Sequence, residues 1–151
     1  MTRPAPPSGD PPPAQAVLPD GTAVDLRPLA GEIAKRYYAE FRDEAERYGP
    51  AGEQWCLHDN LYLLAWAIQE ARDGTVVVAE QALWLASVLE ARDFPVARLV
   101  RDLEIAGEVT RDSAALGDLA ATSAAALAAA ARAVGDRAAS DPSEPRRRSD
   151  R

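Results

Sequence analysis

Residues 55–71 read WCLHDNLYLLAWAIQEA, and no other stretch restricts the fold of this chain so tightly. Wound at about 100° per residue, Leu57, Leu61, Leu64, Ile68 and Ala71 fall on one apolar stripe. Trp55, Tyr62 and Trp66 lie on the opposite side with Asp59 among them, and Cys56, Leu63 and Ala67 cover a flank. A helix apolar nearly all round is predicted to sit inside a bundle, the most buried of its helices, with neighbours on several sides. The stretch falls about one residue short of a bilayer span and carries His58, Asp59, Asn60, Gln69 and Glu70, so a membrane reading fails.

The rest of the composition agrees with one ordinary domain. A length of 151 residues allows a real core, and 47% apolar with 27% charged residues is a globular balance. Seven of the twelve prolines precede residue 20, so they mark a tail rather than break helices. The formal charge of −7 comes from the interior, because the charges of the two tails nearly cancel. Such a surface repels phosphate backbones and anionic lipid, which argues against a nucleic-acid or membrane partner. Of 17 basic residues only Lys35 is lysine, an arginine bias that suits GC-rich coding and hence a bacterial chain. Cys56 stands alone, which excludes an intrachain disulfide and a multi-cysteine metal cage. The opening MTRPAPPSGDPPPAQ has no basic segment leading into an apolar run, so a cytoplasmic location is expected.

Taken in order, residues 1–16 are predicted to be a disordered, Pro-rich tail of polyproline-like character. Residues 17–24 contain the turn signal Pro19-Asp20-Gly21 and are expected to form a turn or short hairpin lead-in. The first helix is predicted from Leu26 to Tyr48, with Asp25 as its N-cap and Gly49-Pro50 as its end. Its outer face carries Glu32/Arg36, Arg36/Glu40, Arg42/Glu46 and Asp43/Arg47 at ion-pair spacing. Asp73-Gly74-Thr75 leads from the central helix into a third helix, Val76 to Arg92. Asp93-Phe94-Pro95 breaks the chain before a fourth, whose Val96, Leu99, Val100, Leu103 and Ala106 point inward. Arg98/Asp102 reads as a surface pair there, while Ile105 and Val109 stand outside the stripe. A fifth, alanine-rich helix is predicted from about Asp112-Ser113 to Arg137, buries little area, and should detach most easily unless close alanine packing holds it. Residues 138–151 read as a disordered polar tail. The expected fold is therefore all-α, a single five-helix bundle-like domain over residues 25–137 flanked by disordered tails.

Side chains able to do chemistry concentrate in WCLHDN. Asp59, one turn from Trp55 and Tyr62, is either an acid/base group with a raised pKa or a structural carboxylate paired with Arg36, Arg98 or Arg101. His58, the one histidine, lacks the repeated Glu-x-x-His pattern of paired-metal bundle sites, so neither metal nor haem is expected. Cys56 has no cation beside it and reads as an inert thiol. Phosphate-loop, dinucleotide, nucleophile-elbow and HExxH patterns are all missing.

The run YLLAWAIQEARDGTVVVAEQALWLASVLEARDFPVARLVRDLE, about residues 62–104, resembles the helical modules that accompany cobalamin-binding and related bacterial sensory regulators. Trp84-Leu85, Leu89, Pro95, Leu99, Leu103 and Glu104 carry the likeness: a W-L-x-x-x-L element, a turn with proline, then an L-x-x-x-L-E helix. The resemblance implies a helical piece that caps or accompanies a separate ligand domain. His58 is not in the D-x-H-x-x-G setting of a cobalamin site, and no cofactor is expected.

Two functions are compatible with these residues. The favoured one is a non-catalytic, cytoplasmic helical module acting through contact with a protein partner or a second copy, in a sensory, regulatory or accessory role. Ile105 and Val109 are its interaction-surface candidates. The alternative is a bundle with a small-ligand or acid/base catalytic pocket lined by Trp55, His58, Asp59, Tyr62, Trp66 and Trp84.

Overall fold

A computed structural model describes residues 4–140. Five helices make up an all-α domain, entered through a two-stranded antiparallel hairpin. The strands are β1 (Gln15–Val17) and β2 (Ala23–Asp25), with Ala16 opposite Val24. An isolated hairpin is marginal in water, and this one is held to the helices. Val24 and Leu26 enter the core, and Arg72 donates to the carbonyl of Val17 at 2.9 Å.

The helices are α1 (Arg27–Glu40), α2 (Glu44–Asp73), α3 (Val78–Ala91), α4 (Val96–Arg111) and α5 (Leu119–Ser140), with a 3₁₀ turn at Ala114–Leu116. No described helix is long and apolar enough to cross a membrane. Residues 141–151, most of the segment read as a polar tail, lie outside the described residues, as do residues 1–3. Residues 4–14 have no regular structure and Gln15 and Ala16 already belong to β1, but the stretch does not hang free: Trp55 Nε1 donates to the Ala5 carbonyl at 2.6 Å, and Ala14 accepts from the Leu26 N–H.

Several boundaries differ from expectation. The first helix stops at Glu40 rather than Tyr48, with Phe41 at φ −110°, ψ 76°. Long-range attraction overrides local propensity there, because Arg98 of α4 holds Glu44 in the interior and grips the exposed Asp43. Gly49-Pro50 does turn the chain, but as a kink within α2: Gly49 adopts φ 65°, ψ −165°, which a residue with a Cβ rarely reaches. α3 begins at Val78, not Val76, since Val77 is extended and Glu70 of α2 accepts from the Val78 N–H at 3.0 Å. α5 starts at Leu119, after Gly117 turns at positive φ.

α2 is not the rod buried on all sides that its composition predicts. Asn60, Leu63, Leu64, Ala67 and Ile68 are buried, but the aromatic side faces a cavity rather than another helix. The most heavily buried helix is α4, which packs chiefly against α5 and secondarily against α1. Ile105 and Val109, expected on the outside, are 1% and 5% exposed and belong to the core. They cannot serve as a contact surface. α5 is not loosely held either. Ala120, Ala124, Ala126, Ala130 and Ala131 are buried, and a Cβ on Gly107 of α4 would meet the Ala124 carbonyl at 3.5 Å. Small residues let the two backbones approach, and close contact replaces the area that larger side chains would bury.

Candidate functional site

A cavity of about 690 Å³ opens between α2, α3 and α4, closed at one end by α1 and the start of α2. One wall comes from helical spacing alone. Positions 55, 58, 62 and 66 are three or four residues apart, so their side chains stack along one face of α2. Trp55 and His58, His58 and Tyr62, and Tyr62 and Trp66 have ring centroids 5.0, 5.2 and 5.4 Å apart. Leu85, Val88 and Leu89 of α3 form the facing wall, and Trp84 stands at the rim, 60% exposed. Pro4 closes another edge, brought there by the Trp55–Ala5 hydrogen bond. All six pocket candidates, Trp55, His58, Asp59, Tyr62, Trp66 and Trp84, line this one cavity.

Among the polar groups of the lining are three carboxylates, Glu44, Asp59 and Asp102, and three basic groups, His58, Arg92 and Arg98. Asp59 takes neither Arg36, Arg98 nor Arg101 as a partner. Its Oδ1 lies 3.1 Å from Nδ1 of His58, while Arg36 is bound to Glu32 and Arg101 to Glu40. Burial raises the Asp59 carboxyl above its usual range, against the lowering influence of His58 and of Arg92. Arg92 is exposed, its guanidinium 5.6 Å from the Trp55 ring centroid.

The most consequential residue is one that the sequence reading placed on the surface. Asp102 is 7% exposed and makes no pair with Arg98. Its Oδ1 accepts from Nδ2 of Asn60 at 3.0 Å, and that amide also donates to the Cys56 carbonyl at 2.9 Å. Burial pushes the Asp102 carboxyl up to about 7 despite the Asn60 hydrogen bond, and the charges of Asp59 and Glu44 add to the rise. Burial likewise raises the Cys56 thiol well above its ordinary value, with Asp102 and Asp59 contributing, so the thiol is inert. The sequence carries only a partial signal for this: Asp102 lies three residues after Leu99 and next to Leu103, and Asn60 three and four residues before Leu63 and Leu64.

Glu44, only 3% exposed, is the third carboxylate. It accepts from the Tyr37 hydroxyl at 2.8 Å and from Arg98 at 2.5 Å, and Arg98 also grips Asp43 through both oxygens at 3.0 and 2.9 Å. Arg98 lies over the Phe41 ring as well, 4.6 Å from its centroid. This ion pair is fully satisfied and closes one end of the cavity. Two of the lining residues also carry an oxygen that is closed off from the cavity and has no partner among the described residues: Oδ1 of Asn60 and the hydroxyl of Tyr48. Among the described residues no group of three or more His, Cys, Asp or Glu is arranged to hold a metal ion.

The fold and site thus define an all-helical domain enclosing an aromatic-walled cavity with buried carboxylates at its floor. Comparison with known protein families, curated proteins and solved structures finds no match to this chain.

Proposed function

We propose that this protein binds a small molecule in the cavity between α2, α3 and α4, and that it acts as a binding or sensory module rather than through covalent chemistry. The observation that carries this reading is the combination of size and lining. A volume of about 690 Å³ falls within the range of ligand sites, as does a wall of aromatic and aliphatic side chains interrupted by a few polar groups. Well-packed interiors do not leave space of this kind unused, since each unfilled contact forfeits dispersion energy. The resemblance of residues 62–104 to helical pieces of sensory regulators fits the same reading. Occupancy would tie α2 to α3 and α4, and that is a change a partner could read. Ile105 and Val109 are core residues and offer no surface to a partner.

The test is a thermal-shift and tryptophan-fluorescence screen of the full chain against small apolar and amphipathic compounds. Trp55, Trp66 and Trp84 report from the cavity itself. Compounds that raise Tm by several degrees and change the emission are expected, and Val88→Trp, which fills the space from α3, should abolish both effects while keeping the helical circular dichroism. A chain that responds to no compound, or that responds equally with the cavity filled, would overturn the reading.

A further inference from the structure

We infer that the cavity selects organic cations: an ammonium group on an apolar body, seated beside the carboxylates of Asp59 and Asp102 with the body against Trp55, Tyr62 and Trp66. This inference rests on the ligand-binding reading and names the ligand's chemistry.

Negative charge is left over inside the cavity. Of the three carboxylates facing the cavity, Glu44 is neutralised by Arg98 and bonded by Tyr37. Asp102, 7% exposed, is held only by the neutral amide of Asn60, and no cation pairs with it among the described residues. Asp59 contacts only its neighbour His58, and Arg92 stands at the exposed rim over Trp55. A buried carboxylate without a counter-charge is costly, and a cation bound beside it supplies what the protein does not.

Asn60 does not take the place of that counter-charge. It is 1% exposed, and its neutral amide leaves the Asp102 charge in place. The orientation of Asn60 is fixed by chemistry, because its Nδ2 faces two acceptors, the Cys56 carbonyl and Asp102.

The aromatic wall also favours a cation. Tryptophan and tyrosine rings attract cations to their faces, most strongly where water is excluded, and three such rings stand beside Asp59. An anionic ligand would meet two carboxylates, and the half-buried Arg98 is already engaged with Asp43 and Glu44. A neutral ligand would leave Asp102 unpaired.

The groups that face Asp102 are Cys56, Asp59, Asn60 and Glu44 from α2, Tyr37 from α1, and Arg98 on its own helix. Arg98 and Arg92 carry a positive charge at every accessible pH, and His58 stands 3.1 Å from Asp59 on the same lining, so Asp102→Asn and Asp59→Asn are what assign the pH response to the carboxylates. Cation affinity should rise as pH increases through neutrality and Asp102 ionises.

Three probes sharing one body decide the matter at pH 8: phenethylammonium, 2-phenylethanol and 3-phenylpropanoate, titrated calorimetrically into the full chain. The ammonium is expected to bind at least about tenfold more tightly than the alcohol, and the carboxylate weakest. Asp102→Asn and Asp59→Asn should each erase most of that preference while 2-phenylethanol binding stays within about twofold. With wild-type protein alone, phenethylammonium affinity should increase between pH 5.5 and 8.5 and the alcohol's should not. Equal binding of ammonium and alcohol would overturn the inference and leave the ligand-binding reading standing. A preference undiminished in both variants would also overturn it. Binding of none of the three, with no response in the wider screen, would remove both.

Discussion

Asn60 and Asp102 meet at 3.0 Å across the floor of the cavity, joining α2 to α4 through a neutral amide and a carboxylate that water scarcely reaches. This single contact links the stability of the fold to the chemistry of the site, because any group that neutralises Asp102 relieves a cost of folding.

That cost has a definite dependence on pH. Burial raises the Asp102 carboxyl from an ordinary value of 3.8 to about 7, so the folded chain holds the proton more tightly than the unfolded chain. Its contribution to stability is therefore fully present below the unfolded value, declines as pH rises from about 4 to about 7, and levels off above that. Asp59, also raised by burial, acts in the same direction. The loss attributable to Asp102 is at most about 4 kcal/mol. Asp102→Asn should be more stable than wild type at pH 8 and lose the advantage near pH 4, as measured by urea unfolding at both. A variant equally destabilised at both pH values would refute this account.

Arg98 holds the far end of the site. It neutralises Glu44, which is buried, and fixes the break between α1 and α2 by gripping Asp43. Removing one partner of a buried pair leaves an uncompensated charge, so Arg98→Met should cost about 3–5 kcal/mol in chemical denaturation. Arg98→Lys should recover only part of this, because an ammonium lacks the fork that reaches Asp43 and Glu44 together. A loss under about 1 kcal/mol, the value of an exposed pair, would show that the contact is energetically idle.

The corrected position of Ile105 can be checked against Trp84, which is the more conspicuous residue in the sequence. Ile105 is 1% exposed, so Ile105→Ala should destabilise by about 2–5 kcal/mol through lost burial and an unfilled cavity. Trp84 is 60% exposed, and Trp84→Ala should change global stability by less than about 1 kcal/mol while weakening ligand binding. The reverse order of stability losses would return Ile105 to the surface.

The N-terminal segment supplies a fourth test. Trp55 Nε1 donates to the Ala5 carbonyl at 2.6 Å, and Trp55→Phe keeps the ring wall while removing that donor. A net hydrogen bond contributes about 0.5–1.5 kcal/mol, so a protease that cuts before aspartate should cleave at Asp10 several-fold faster in the variant. An unchanged rate at Asp10 would mean that the tether does not restrain this stretch.

What the sequence determined by itself follows from short-range rules. The breaks at Gly49-Pro50, Asp73-Gly74 and Phe94-Pro95, the five helices, and the single-file ladder of Trp55, His58, Tyr62 and Trp66 depend only on backbone preference and the helical repeat. Those rules act between residues a few positions apart, so one chain suffices to read them. Only the tertiary structure decided that Asp102 is buried against Asn60 and not paired with Arg98, that Arg98 reaches back to end α1 at Glu40, and that Ile105 and Val109 face inward. Each of those outcomes depends on which helix faces meet. α5, through its alanines, comes close enough to α4 to cover a second side of it, and a stripe read from one helix does not reveal how many partners that helix has. The ladder could be seen from the chain alone, but whether it faced a neighbour or an empty space depended on how α3 and α4 stand away from α2.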